Sequence, residues 1–118
     1  MQIEERRIRD VTILDIKGKL TLGLGDQMLK EKIDTLVAAG QIKVVLNLEE
    51  SPYVDPVCLG EIVRSYTKVA RQGGTLKLLA IQKQLEDLMK ITKLYTVFDI
   101  FANQKEALAS FSKNPTAT

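Results

Sequence analysis

Apolar and polar positions change period several times along the chain, and each change marks an element. "IEERRIR" and "VTILDIKG", from Ile3 to Gly18, read as two extended segments joined by a tight turn near Asp10. "GKLTLGLGDQ" follows, and its Gly18, Gly23 and Gly25 predict a loop with unusual backbone angles. Asp26 is the expected N-cap of the helix that comes next. Leu29, Ile33, Leu36 and Val37 recur there at helical spacing until Gly40 stops it. "KVVLNL", Lys43 to Leu48, is rich in β-branched residues and nearly continuously apolar, as a strand buried on both faces reads. "EESPYVDP" is a turn-forming connection. The following helix carries Leu59, Ile62, Val63, Tyr66, Val69 and Ala70 on one stripe and ends at the glycines of "RQGG".

"TLKLLAI" reads as another interior strand, and "QKQLEDLMKITK" as a short helix with Leu85, Leu88 and Met89 facing inward. "VFDIF" is the expected last strand. In "NQKE", Asn103 caps the final helix and Glu106 completes a capping box, with Leu108 and Phe111 as its inward anchors. The order β-β-α-β-α-β-α-β-α predicts an α/β domain over residues 1–112, with 113–118 as a frayed tail. Strands alternating with helices require crossover connections. The expected fold is therefore a mixed, mostly parallel sheet of about five strands with four helices, and the N-terminal β-hairpin places its first strand antiparallel at an edge.

Composition narrows the function more than the fold. The chain has 118 residues, 45% hydrophobic and 27% charged, the balance of a soluble globular domain. Net charge is +2, and the longest basic run, "ERRIR", alternates like a strand face, so no nucleic-acid surface is expected. No apolar run is long enough to span a bilayer, and "MQIEERRIRD" is not a signal peptide, so a cytoplasmic protein without membrane insertion is expected. There is one cysteine and no histidine. That weakens the usual triads, dyads and zinc sites together, and neither an enzyme nor a metal or other cofactor is expected.

The most informative stretch is "YVDPVCLGEIV". With Asp55 as N-cap, Pro56 is N1, Val57 is N2 and Cys58 is N3. Asp is among the best caps, and Pro at N1 gives up no hydrogen bond. "DP" thus reads as an efficient helix start. The same point lies beyond the carboxyl end of a strand, where open α/β sheets bind ligands and partners. A helix N-terminus attracts anions, yet Asp55 already supplies that charge, and Val57 presents an apolar side chain.

"VVLNLEESPYVDPVCLGEIV" resembles the anti-sigma-factor antagonist branch of the STAS domain family. That pattern is an apolar strand, then N-L, then an aromatic-apolar-D-S-S/T-G-L-G run opening a helix. Asn47, Leu48, Asp55, Leu59 and Gly60 match it. "GKLTLGLGDQMLKEKI" is similar to the G-x-L loop before the family's first helix, and "RQGGTLKLLAI" and "KLYTVFDIFANQKEAL" to its later segments. The resemblance runs from Ile3 to Phe111. It implies a STAS-like single domain that binds an anti-sigma factor, itself a serine kinase of the GHKL type. Phosphorylation at the second hydroxyl of the run would end that binding, by placing roughly −1.5 to −2 charges against an interface built for a neutral side chain.

The departures fall on the switch. Pro56 and Val57 replace the two hydroxyl residues, Val57 taking the phosphoacceptor position; Cys58 replaces the glycine, and Thr21 an acidic residue common in the loop. The implied partner surface is Thr21, Gly23, Gly25, Asp26, Asp55, Pro56, Val57, Cys58, Gly60 and Glu61. The first functional reading is a constitutively binding antagonist. The second is a non-phosphorylatable STAS subunit of a larger assembly, a stress-signalling scaffold or a lipid-transport ATPase. A homodimer is open under either.

Other residues invite chemistry of their own. Cys58 lies in a first helical turn, where the dipole lowers a thiol pKa; without a histidine or second cysteine it reads as a small packing residue. The spaced glycines lack the Lys-Ser/Thr ending of a P-loop, so a shaped loop is expected, not a phosphate site. Glu49, Glu50 and Asp55 read as a solvated acidic loop. Ser51 is a candidate displaced phosphoacceptor.

Overall fold

The computed structural model describes residues 1–112; the tail expected at 113–118 lies outside them. The elements are β1 (Gln2–Ile8), β2 (Val11–Lys17), α1 (Gly25–Ala38), β3 (Lys43–Glu50), α2 (Pro56–Arg71), β4 (Thr75–Leu79), α3 (Lys83–Ile91), β5 (Ile100–Phe101) and α4 (Gln104–Ser112). They build one five-stranded sheet in the order β1-β2-β3-β4-β5. β1 pairs antiparallel with β2, and every other neighbouring pair is parallel. Each parallel step advances the sheet by one strand in the same direction. Right-handed crossovers therefore put α1, α2 and α3 on one face.

The main core lies between those helices and the sheet. Leu14 and Ile16 of β2, Leu46 and Leu48 of β3, and Leu76 and Leu78 of β4 meet Leu29, Ile33 and Leu36 of α1 and Leu59, Ile62 and Val69 of α2 there. In α2 the stripe differs from expectation. Ala70 is exposed, Val63 and Tyr66 are half-buried, and Ser65 is buried in the stripe with Ile62 and Val69. Tyr66 meets the ring of Phe98 edge-on, with centroids 5.0 Å apart. In α3, Leu85 and Met89 are buried and Leu88 only half so.

α4 lies on the other face, where Val11, Ile13, Val45 and Leu79 form a smaller cluster against Leu108 and Phe111. Asn103 caps α4 by accepting the Glu106 N–H at 2.9 Å. A polar network continues this face toward β1. Arg6 donates to both carboxylate oxygens of Asp15, at 2.6 and 2.9 Å, and to Gln104 Oε1 at 2.8 Å, while Asn47 Nδ2 donates to Asp15 Oδ1 at 2.8 Å.

The last strand is shorter than the five residues of "VFDIF". Only Ile100 and Phe101 pair with Leu78 and Leu79. Val97 closes a turn onto the Leu94 carbonyl, and Phe98 is buried in the main core. Burial of the phenyl ring, not pairing of the backbone, holds that part of the segment.

Candidate partner-docking site

β3 runs out at Glu50, and the chain from Ser51 to Asp55 is held from both sides before α2 begins. On one side the loop after β2 lies alongside. Leu20 N–H donates to the Tyr53 carbonyl at 2.8 Å, Asp55 N–H to the Leu20 carbonyl at 3.1 Å, and Leu20 forms a one-residue parallel bridge with Val54. On the other side, the Gln84 carboxamide of α3 acts as a further strand. Its Oε1 accepts the Val54 N–H and its Nε2 donates to the Val54 carbonyl, both at 2.9 Å. Leu20 and Val54 are buried, so this ribbon is part of the core.

Asp55 joins the two loops. Its backbone is extended, and its Oδ1 accepts the Cys58 N–H at 2.8 Å, the expected cap; its Oδ2 accepts the Leu22 N–H at 2.7 Å. Burial works to raise the Asp55 pKa, but the Cys58 and Leu22 amides outweigh it and hold the carboxyl below its ordinary value. The anion-attracting end of α2 is thus filled by the chain's own carboxylate.

Pro56 and Val57 then face solvent and Cys58 turns inward. The Cys58 thiol is fully buried and pushed up to about 12, by burial first and then by Asp55. The dipole effect that favours a reactive thiolate at a helix start is overridden here, and Cys58 packs. Gly60 is exposed. Glu61 turns away from the tip: its carboxylate accepts from Arg64 Nε at 2.8 and 2.9 Å and belongs to the charge network between α1 and α2.

The glycine loop differs in one respect from expectation. Asp26 is not the N-cap of α1. The helix starts at Gly25, Leu24 occupies the cap position without a side-chain bond, and Asp26 reaches back from the first turn to accept the Gly23 N–H at 2.8 Å. Gly23 takes a φ of 104°, a region that glycine reaches without the Cβ penalty of other residues. Gly25 is buried against Leu20, and a Cβ there would sit 2.9 Å from the Leu20 side chain. Thr21 is exposed, and its carbonyl accepts the Gly25 N–H at 3.0 Å.

Ser51 does not fit a displaced phosphoacceptor. It is buried and its hydroxyl donates to the Gly18 carbonyl at 2.8 Å. Glu49 and Glu50 are exposed, and among the described residues no group of three or more His, Cys, Asp or Glu is placed to hold a metal. No described helix is long and apolar enough to cross a membrane.

The site's most conspicuous property is that Val57 is joined by three exposed apolar or aromatic residues outside the expected partner surface, Leu22, Leu24 and Tyr53. Leu22 is 63% exposed, Leu24 60%, Val57 51% and Tyr53 38%. All four sit on the segments that Asp55 and Leu20 tie together. Exposed apolar side chains of this size, when contiguous, are a common mark of protein-binding surfaces. The available signal was that Leu22 and Leu24 alternate with glycines and belong to no helical or strand stripe. A turn-forming loop has no packing reason to carry them.

The STAS domain pattern matches residues 2–107. The chain belongs to the STAS domain family. Among curated relatives, the anti-sigma F factor antagonist of Paenibacillus polymyxa is 26% identical over 109 residues, 92% of each chain. The anti-sigma-B factor antagonist of Bacillus subtilis (strain 168) is 33% identical over 78 residues, 66% of this chain and 71% of the relative. The crystal structure of a candidate anti-sigma factor antagonist from Thermotoga maritima superposes with a TM-score of 0.88 at 22% identity, covering 94% of this chain and 95% of that one. This STAS domain thus has the fold of the antagonist branch, built around a tip without a phosphorylatable side chain at Val57.

Proposed function

We propose that this STAS domain is a regulatory binding module that docks the start of α2 and the adjoining glycine loop onto an anti-sigma factor of the GHKL serine-kinase type. It does so without a phosphate off-switch. The observation that carries this reading is the neutral, apolar tip formed by Val57, Leu22, Leu24 and Tyr53 around a helix end already capped by Asp55. A partner meets hydrocarbon there, and no hydroxyl at position 57 can receive phosphate. Glu61, bonded to Arg64, has the smallest part in the surface. The missing acceptor also supports a second reading, a STAS subunit of a larger scaffold or transport assembly that needs no release step.

Affinity capture with the wild-type chain and with Val57→Asp, followed by direct titration of the captured protein, tests both. The substitution puts a charge into the apolar tip and is expected to weaken binding by about tenfold or more while leaving the thermal melt unchanged. A captured GHKL-type kinase supports the antagonist reading, and a transporter ATPase or scaffold protein supports the second. Unchanged affinity of the Val57→Asp chain removes the tip from the interface.

A further inference from the structure

We infer that the free edge of β1 joins two copies of this chain into one continuous antiparallel sheet centred on Arg6. This pairing does not depend on the docking role of the α2 tip. β1 is the outermost strand and pairs over its whole length with β2 on one side only. Ile8 and Val11 flank the two-residue turn and close it as a hydrogen-bonded pair. The alternation that follows turns the backbone groups of Ile3, Glu5 and Arg7 outward. A seven-residue row of this kind is a template for another strand.

Charges on an edge strand ordinarily keep sheets apart. Here they are sorted by sign along the strand, Glu4 and Glu5 preceding Arg6 and Arg7. An antiparallel copy reverses that order. Outward-facing residues must meet outward-facing residues; of the registers that do this while keeping most of the strand paired, the one centred on Glu4 sets its two Glu4 carboxylates together and Glu5 opposite Ile3, which leaves two to compare. Centring on Glu5 sets that carboxylate against its own copy and leaves Arg7 opposite Ile3. Centring on Arg6 sets Glu5 opposite Arg7 twice. The two Arg6 side chains then meet at the axis, but each is already matched by its own Asp15.

The flanking surface agrees with the second register. A groove of about 380 Å³ beside the edge is lined by Ile3, Met28, Glu31, Lys32 and Thr35. Glu31, Arg7 and Arg9 form no ion pair among the described residues. In this register the second copy's Arg9 falls opposite Ile3, beside Glu31. The α2 tips lie at the Gln2 end of β1, so the dimer carries them at opposite ends of a ten-stranded sheet.

Sedimentation velocity of the full chain over a concentration series tests the pairing. The wild type is expected to dimerise with rising concentration. Glu5→Arg and Arg7→Glu, both at exposed positions, are each expected to raise the dimer dissociation constant by about tenfold or more. The double variant E5R/R7E restores both cross-strand pairs and is expected to return to the wild-type value. If either single variant melts well below the wild type, Glu5→Gln or Arg7→Gln takes its place for the same readout. A wild type that stays monomeric throughout, a dimer that neither single change weakens, or a double variant no better than the singles overturns the inference.

Discussion

Asp55 carries more structure than any other side chain at the tip, because its two oxygens serve two different loops. Asp55→Ala removes the cap and frees the Leu22 amide. A loss of about 0.5–2 kcal/mol is expected from the cap alone. Asp55→Asn keeps one accepting oxygen, so it is expected to fall between the alanine variant and the wild type in urea denaturation. An asparagine variant as stable as the wild type would mean that one of the two bonds has no weight. The cap was legible from "DP", since Asp before Pro is a local signal. The Leu22 bond spans 33 residues in sequence and leaves no local trace. Cys58 shows the same division: a thiol's place in a helical turn is local, but whether the side chain faces water depends on what the rest of the chain packs over it.

Elements were legible where hydrophobic period and length agreed, and not where tertiary contact decided. α1, α2 and β3 follow from spacing and glycine stops, with Gly40 at a φ of 75° and Gly73 at 82° just beyond the two helices. The β5 segment was misjudged because β-branched and aromatic residues mark burial as well as pairing, and Phe98 uses burial. Asp26 was misplaced because Asp suits both the cap and the first turn, and the choice rests on a bond to Gly23. Gly74, between α2 and β4, exposes a constraint that no pattern announces: a Cβ there would run into the carbonyl oxygen and Cβ of Ile42. Gly74→Ala is therefore expected to destabilise by about 1–3 kcal/mol through forced backbone movement, measurable as a lower urea midpoint. An unchanged midpoint would mean that the α2–β4 corner yields freely.

For the molecule as a whole, the alternation of strands and helices made the topology legible, because right-handed crossovers leave few alternatives. Its response to pH follows from the charges that topology brings together. Lys30, Lys68 and Arg64 hold Asp34 far below the usual carboxylate range. Asp15 is raised by burial but lowered further by Arg6 and Asn47, and Asp55 lies low as well. Each has a folded pKa below its unfolded value of about 3.9, so its contribution is present above that value and lost as pH falls through the folded pKa. The Cys58 thiol is the reverse case, raised to about 12: its contribution is full below the unfolded value of about 8.5 and is lost as pH rises toward 12. With no histidine to titrate between them, the urea midpoint is expected to be level from about pH 6 to 8, to fall below about pH 4, and to decline on the alkaline side. A step near neutrality would contradict this assignment.

The sealed position of Cys58 has a practical consequence. It is the lone sulfhydryl in the sequence and is buried in the first turn of α2, directly after the exposed Pro56 and Val57. Its modification by a small alkylating reagent must wait until the start of α2 lifts away. The rate of that modification is therefore a built-in clock for local opening, running without any introduced label and slowing whenever something holds the tip shut.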